Sequence, residues 1–264
     1  MMVAVCLTPA ASAEVILVQS TTSTQNSGLY DVILPLYEAE TGDEVRVVAV
    51  GTGQAIKNAR NCDGDVLIVH SRADEEAFVA DGFGQQRYNL MHNDFVLIGP
   101  KSDPAHISGS VMIEQALQKL AQAEARFISR GDDSGTHKAE MRFWQLAGIT
   151  PSEHPGRWYV ETGQGMGGTL NMAVQLDGYT ISDRSTWLAF GNRQDHHILF
   201  EGDDAMFNQY GIIPVSQDAC PEVRYEAAER LTRWLLSPRG QKAINSYTVR
   251  GQQLFFANAD PQTR

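Results

Sequence analysis

The sequence has few cysteines, no long apolar run and no excess of positive charge, and each absence excludes a class of protein. Its 264 residues include 3 cysteines, whose spacing matches no metal-site or Cys-x-x-Cys pattern. No apolar stretch approaches the ~20 residues that a membrane-spanning helix needs. The formal net charge is −11, whereas a general nucleic-acid-binding protein needs stripes of lysine and arginine. Any anion site in this chain must therefore act locally, through hydrogen-bond donors and a nearby cation.

The N-terminal segment is typical of an export signal. Residues 2–7 are short and apolar, and residues 11–13 (Ala-Ser-Ala) fit the cleavage pattern, so we expect removal of residues 1–13 after Ala13. The alternative is a ragged start to a cytosolic protein. Cys6 would leave with the signal. Cys62 and Cys220 would then either pair in an oxidising compartment or remain two buried thiols, and the sequence does not decide between these.

Short apolar runs alternate with helical patterns along most of the chain. Residues 15–18, 45–50, 66–69 and 95–98 predict strands. Between the first two, a helical pattern has its apolar positions at Leu29, Val32, Ile33, Leu36 and Tyr37, and Gly42 is expected to end that helix. The alternation begins again after residue 100 with no linker. It predicts an α/β protein of two lobes with mostly parallel sheets, between which the chain crosses more than once.

Four strand-to-helix turns share one composition of small hydroxyl residues and glycine. They are residues 20–24, 51–54, 129–137 and 163–169. For any single turn, an ordinary helix cap is the better explanation. However, helix N-termini also present free N–H groups and a partial positive charge, which suit an anion. Because parallel α/β sheets bind ligands at the carboxyl ends of their strands, four such turns predict an anion site between the halves.

Arg130 strengthens this prediction because it is the only basic residue inside the four turns apart from His137. A guanidinium offers a planar fork of donors and a permanent charge. The alternative is a salt bridge to Asp132 or Asp133. Both can hold together, since an aspartate can orient the arginine from behind.

Enzymatic and metal-binding alternatives have weaker support. Residues 133–135 resemble a serine-hydrolase nucleophile turn with Ser134 beside His137, but Asp132 stands where that motif wants glycine. Gly163, Gly165 and Gly168 match the dinucleotide fingerprint, although a single match is weak. His196 and His197 lie near acidic residues but lack the helical spacing of a metal site. His70 and His92, each beside a strand, are expected to be packed rather than functional.

Several motifs resemble the tungstate-binding periplasmic components of ABC transporters. The resemblance covers nearly the whole mature chain in the expected order. It is carried by the segments at residues 20–29, 50–55, 65–70, 93–100, 129–137, 161–166, 201–203, 208–211 and 237–241.

The resemblance implies a two-lobed type II periplasmic-binding-protein fold, each lobe a mostly parallel sheet flanked by helices, with two crossover strands. Lobe 1 is expected at residues 14–95 and 213–264, and lobe 2 at residues 96–212. The oxyanion is expected at Thr21, Thr22, Ser23, Thr52, Arg130, Ser134, Gly135 and Thr136, with Gly167 and Thr169 as lesser contributors. One departure is Ser20, where the family usually has threonine.

The resemblance further implies a periplasmic, monomeric binding protein without catalysis, cofactor, metal or nucleic acid, whose partners are an ABC permease and its ATPase. Tungstate is the expected ligand, with molybdate or phosphate as alternatives and a dinucleotide-dependent enzyme as a remote one. Phosphate retains a proton near neutral pH and benefits from an acceptor, whereas tungstate, molybdate and sulfate require donors only. Whether Asp132 or Asp133 faces the ligand is left open by the sequence.

Overall fold

The computed structural model describes residues 13–153, 158–249 and 251–260. Residues 1–12 of the expected export signal, including Cys6, lie outside this range. The strands are β1 (Val15–Thr21), β2 (Glu44–Val50), β3 (Val66–Val69), β4 (Tyr88–Pro100), β5 (Phe127–Ser129), β6 (Tyr159–Glu161), β7 (Thr180–Asp183), β8 (His196–Phe200), β9 (Phe207–Pro214), β10 (Thr248–Val249), β11 (Gln252–Gln253) and β12 (Phe256–Ala257).

The helices alternate with these strands, as the sequence predicts. They are α1 (Thr22–Asn26), α2 (Leu29–Thr41), α3 (Thr52–Arg60), α4 (Arg72–Ala80), α5 (Ile113–Gln122), α6 (Gly135–Leu146), α7 (Met166–Gln175), α8 (Arg184–Ala189), α9 (Tyr225–Leu236) and α10 (Pro238–Ser246), with short 3-10 turns at Pro151–Glu153 and Asp204–Met206. No helix in the described part of the chain is both long and apolar enough to cross a membrane.

The strands form a curled sheet around one long crossover strand. The main path runs β12-β4-β9-β3-β1-β2, in which β1 is parallel to β2 and β3, and β9 is antiparallel to β3 and β4. The other end of β4 pairs with β7 and β8, while β5 and β6 form a separate parallel pair. The chain therefore passes between two halves along β4 and returns through β8 into β9. This is the predicted α/β fold with crossover strands.

The apolar core consists of three buried clusters, one of which combines residues of both halves, such as Ile16 and Trp187. One buried cluster consists only of residues between Phe95 and Met206. A second cluster, around Ile16 and Tyr210, packs helices on the main sheet, and a third lies around Phe78. The disulfide between Cys62 and Cys220 ties the end of α3 to the segment before α9 and settles the alternative that the sequence left open.

The end of α2 lies where the sequence predicts it, but its buried face differs. Gly42 caps the helix in the left-handed region (φ 79°). Val32 and Leu36, predicted to be buried, are exposed, and Tyr30 and Leu34 are buried instead. The buried Tyr30 hydroxyl pairs with Ser20 Oγ at 2.7 Å, a polar contact that apolar periodicity does not register.

Candidate oxyanion site

All eight of the main predicted site residues line one small cavity between the two halves. Its walls also include Val50, Gly51 and His70. The centre of a water molecule can reach about 10 Å³ of this cavity, which is the space of about one water-sized group. The cavity is therefore very small and is lined mainly by hydroxyl groups and backbone amides.

One wall comes from the carboxyl ends of β1 and β2. Thr21 Oγ1 lies 3.1 Å from Ser23 Oγ and 2.8 Å from Thr24 Oγ1, so the first turn is a cluster of hydroxyl groups. Thr22, the first residue of α1, stands at the exposed rim. Thr52 is the first residue of α3 and is buried. The N-cap residue of this helix is Gly51, so no side chain caps it. The first amides of α3 therefore have no acceptor inside the helix.

Arg130 supplies the only permanent positive charge among the cavity-lining residues that the structure describes. Its side chain is 6% exposed, and Nε and Nη2 donate to Asp132 Oδ2 at 3.1 and 2.5 Å. Nη1 makes no hydrogen bond to a described residue. Burial alone would raise the pKa of Asp132, but donors from Ser134 and Arg130 outweigh it, so the net pKa is lowered and the carboxylate stays ionised. Asp132 therefore orients Arg130 from behind.

The opposite wall is the N-terminus of α6. Ser134 caps this helix by accepting the His137 amide at 3.3 Å, which leaves the amides of Gly135 and Thr136 without an acceptor in the helix. Thr136 is 1% exposed, and its Oγ1 is buried without a hydrogen-bond partner among the described residues. A buried orphan hydroxyl is unfavourable unless something else satisfies it, so the Thr136 hydroxyl is a free donor for any group that enters the cavity.

The two aspartates of this turn do not line the cavity. Asp132 pairs with Arg130, and Asp133 is exposed, with its amide donating to His137 Nδ1 at 3.1 Å. Among the described residues, no carboxylate is part of the lining. The cavity thus offers donors and one cation but no acidic acceptor, which suits a fully deprotonated anion.

Gly167 and Thr169, predicted as lesser contributors, do not line the cavity. Gly167 is exposed and has no neighbour within 4 Å of its would-be Cβ. The Thr169 hydroxyl is already paired, at 3.0 Å from Thr162 Oγ1 and 3.3 Å from the Gly165 carbonyl. This fourth turn is therefore stabilised internally.

His70, which we expected to be merely packed, is part of the cavity wall. It is 8% exposed, at the carboxyl end of β3, and its Nδ1 lies 3.1 Å from Asn208 Oδ1. Burial is the main cause that lowers its pKa. Its position directly after a strand beside β1 is the signal that could have identified it, because ligand sites form at that edge.

The enzymatic and metal alternatives find no support in this geometry. Ser134 Oγ is occupied as a helix cap and makes no hydrogen bond to the His137 ring, so the base–nucleophile pair of a hydrolase does not form. His196 is buried with its Nε2 3.1 Å from the Gly178 carbonyl. In the described residues, no group of three His, Cys, Asp or Glu side chains could hold a metal ion.

Comparison with known proteins agrees with the fold. The model of the PBP superfamily domain matches residues 8–239. The tungstate-binding protein TupA of Peptoclostridium acidaminophilum is 45% identical over 248 residues, which are 92% of this chain and 86% of that protein. A putative ABC transporter anion-binding protein of Haloferax volcanii is 44% identical over 253 residues, or 94% and 73% of the two chains. The solved structure of the tungstate-binding protein TupA from Desulfovibrio alaskensis G20 superposes with a TM-score of 0.84 at 45% identity, over 94% of this chain and 100% of that one.

Proposed function

The chain belongs to the PBP superfamily and to its family of tungstate-binding proteins, and from that membership we propose that it captures one tetrahedral oxyanion, tungstate, for an ABC importer. The observation that carries the proposal is the small cavity in which eight donor residues and no carboxylate surround one water-sized space. The partners in this proposal are the anion, a membrane permease and its ATPase. The protein acts as a monomer, without nucleic acid, cofactor or catalysis.

The donor set supports tungstate, molybdate or sulfate over phosphate. Phosphate near neutral pH carries a proton that a carboxylate would accept, but no described carboxylate lines the cavity, and the aspartates of the nearby turn face Arg130 or solvent. Among the deprotonated anions, tungstate is favoured because relatives that are 45% identical to this chain are named for it.

Capture works by closure of two lobes, residues 14–95 with 213–264 and residues 96–212. Contacts between α6 and the first lobe support this. A Cβ on Gly135 would lie 2.9 Å from Thr52 Oγ1 and 2.7 Å from His70 Cε1. Nearby, Lys138 Nζ pairs with Asp74 Oδ2 at 2.8 Å. An anion that contacts both lobes shifts the population toward this closed arrangement.

Export to the periplasm, with cleavage after Ala13, completes the proposal. The disulfide between Cys62 and Cys220 supports it, because such bonds persist in oxidising compartments.

Thermal unfolding of the anion-stripped protein tests the function directly. A ligand that binds only the folded state, at about a thousand times its Kd, stabilises it by about 4 kcal/mol, which raises Tm by roughly 10 °C for a chain of this size. We expect such a shift with tungstate, a comparable one with molybdate, and none with phosphate. A shift with phosphate alone would assign the protein to phosphate, and no shift with any oxyanion would contradict the site.

A further inference from the structure

The charges in the cavity do not balance a dianion. Arg130 is the only permanent cation in the described lining, and its charge is already paired with Asp132. The N-termini of α3 and α6 add partial positive charges only. A buried dianion placed here would remain largely uncompensated, and burial of unbalanced charge is costly. Of the lining residues the structure describes, His70 is the only other one able to become cationic near neutral pH.

A directed chain of hydrogen bonds holds the His70 ring. Asp183 Oδ1 accepts from Ser185 Oγ, and Ser185 Oγ lies 3.4 Å from Asn93 Nδ2. Asn208 Nδ2 donates to Asn93 Oδ1 at 2.7 Å, and Asn208 Oδ1 lies 3.1 Å from His70 Nδ1.

The polarity of this relay follows from its amide nitrogens. Asn93 Nδ2 can only donate, so Ser185 Oγ accepts from it and in turn donates to Asp183. The Asn93 oxygen then accepts from Asn208 Nδ2, and the Asn208 oxygen must accept from His70. His70 Nδ1 therefore carries a proton. A neutral His70 therefore has its second ring nitrogen, Nε2, free to take a proton without any change in the relay.

The relay also runs across the pairing of β4 with β9. Asn93 on β4 and Asn208 on β9 are paired residues of the two crossover strands. Asp183 ends β7 in one half, and His70 follows β3 in the other. The Asp183 carboxyl group is fully buried, and its Oδ2 has no partner among the described residues.

We propose that His70 is the second cationic group of the anion site, taking up one proton from solvent as a dianion enters the cavity. The proton binds to Nε2 of the ring and leaves again when the anion is released. This inference rests on the proposed oxyanion function and deepens it, because it makes capture depend on proton concentration.

The groups around His70 permit this change of charge. Arg130 disfavours the cation and Asp183 favours it, while burial lowers the His70 pKa and keeps the empty site neutral. On the outer side, where His70 also borders a cleft, Lys138 and Asp74 neutralise each other at 2.8 Å. Tyr210, whose ring centroid is 4.9 Å from that of His70, has a pKa raised well above its ordinary value and stays neutral. A bound dianion is then the largest change in the field that His70 meets.

Titration calorimetry with tungstate, in two buffers of different ionisation enthalpy, counts the protons. We expect uptake of about one proton per anion, and an affinity that rises by about tenfold for each unit that pH falls between the free and bound pKa values of His70. His70→Asn keeps a donor for Asn208 but cannot titrate, so its proton count should fall to about zero and its pH profile should be flat. His197→Asn, at an exposed position, is the matched control and should behave as the unmodified protein.

The outcomes separate this inference from the function beneath it. If the unmodified protein does not bind tungstate, the proposed function fails. If it binds without proton uptake, or if uptake survives in His70→Asn and vanishes in His137→Asn, only the role of His70 is overturned. Should His70→Asn not fold, ¹⁵N NMR of the histidine rings in the unmodified protein decides. One of the 7 imidazoles should change from neutral to doubly protonated on addition of tungstate, and no change would refute the proposal.

Discussion

Two turns of this molecule have nearly the same composition, but their hydrogen-bond donors differ in whether the protein itself satisfies them. The turn at residues 129–137 and the turn at residues 163–169 each combine glycine with threonine at the start of a helix. In the first, the Thr136 hydroxyl is buried without a partner and Arg130 Nη1 has none among the described residues. In the second, the Thr169 hydroxyl already contacts Thr162 and a carbonyl oxygen.

The difference shows what separates an anion site from a helix cap. Composition decides only that donors are present, whereas function requires donors that the protein itself leaves unsatisfied and points into a closed space. A turn that satisfies its own donors gains stability, and a turn that leaves them free gains affinity for a ligand. Substitutions matched between the two turns can break or sharpen this contrast.

The largest effect is expected from Arg130→Ala. Removal of the guanidinium takes away the charge-assisted hydrogen bonds to the anion and leaves the partly buried Asp132 carboxylate unpaired beside the cavity. We expect a loss of at least about 3 kcal/mol in tungstate binding, or more than a hundredfold in Kd.

Arg126→Ala is the control, since Arg126 donates to the Leu176 carbonyl outside the cavity. Calorimetry should find its affinity unchanged. Near-native binding by Arg130→Ala would remove the distinction between the two turns, because the charge would then contribute nothing.

An intermediate effect is expected from Gly135→Ala. The added Cβ would meet the buried His70 ring at 2.7 Å and Thr52 Oγ1 at 2.9 Å, so α6 could no longer approach the first lobe as closely. Overpacking of this kind costs about 2 kcal/mol, which corresponds to about thirtyfold in Kd. Gly167→Ala, with nothing within 4 Å, is the matched variant in the other turn and should bind as before. Equal affinities for both variants, measured by calorimetry, would show that closure does not depend on the contact at Gly135.

Most of the fold and of the main site could be predicted from the sequence because strand ends and helix starts are local signals. Gly42 and the strand at residues 66–69 lie where the sequence pattern places them. The first half of β4 was not predicted. Its Asn93 and Asp94 are polar, so this part of the strand lacks the apolar pattern by which strands are recognised.

The remaining differences between the sequence-based expectations and the structure concern partners that are distant in sequence. His70 became part of the site through Asn208, 138 residues away, and the Thr169 hydroxyl was removed from it by Thr162. A single sequence shows which groups can donate, but not which of them the fold will already have satisfied. That information arises only when the halves come together.

Two threonine substitutions should have the smallest effects but distinguish the two turns most clearly. One should change only the affinity for tungstate, and the other only the free energy of unfolding. Thr136→Val preserves shape and removes a hydroxyl that has no partner among the described residues, so the anion-free protein should lose no stability. Its affinity for tungstate should fall about tenfold, the contribution of one hydrogen bond to a charged group. Thr169→Val removes a hydroxyl that is already bonded, so unfolding should become easier by about 1 kcal/mol while affinity stays the same. Denaturant unfolding of the anion-free variants and calorimetry with tungstate measure both quantities. If Thr136→Val destabilises the empty protein and leaves binding intact, its hydroxyl is structural, and the two turns differ less than their geometry indicates.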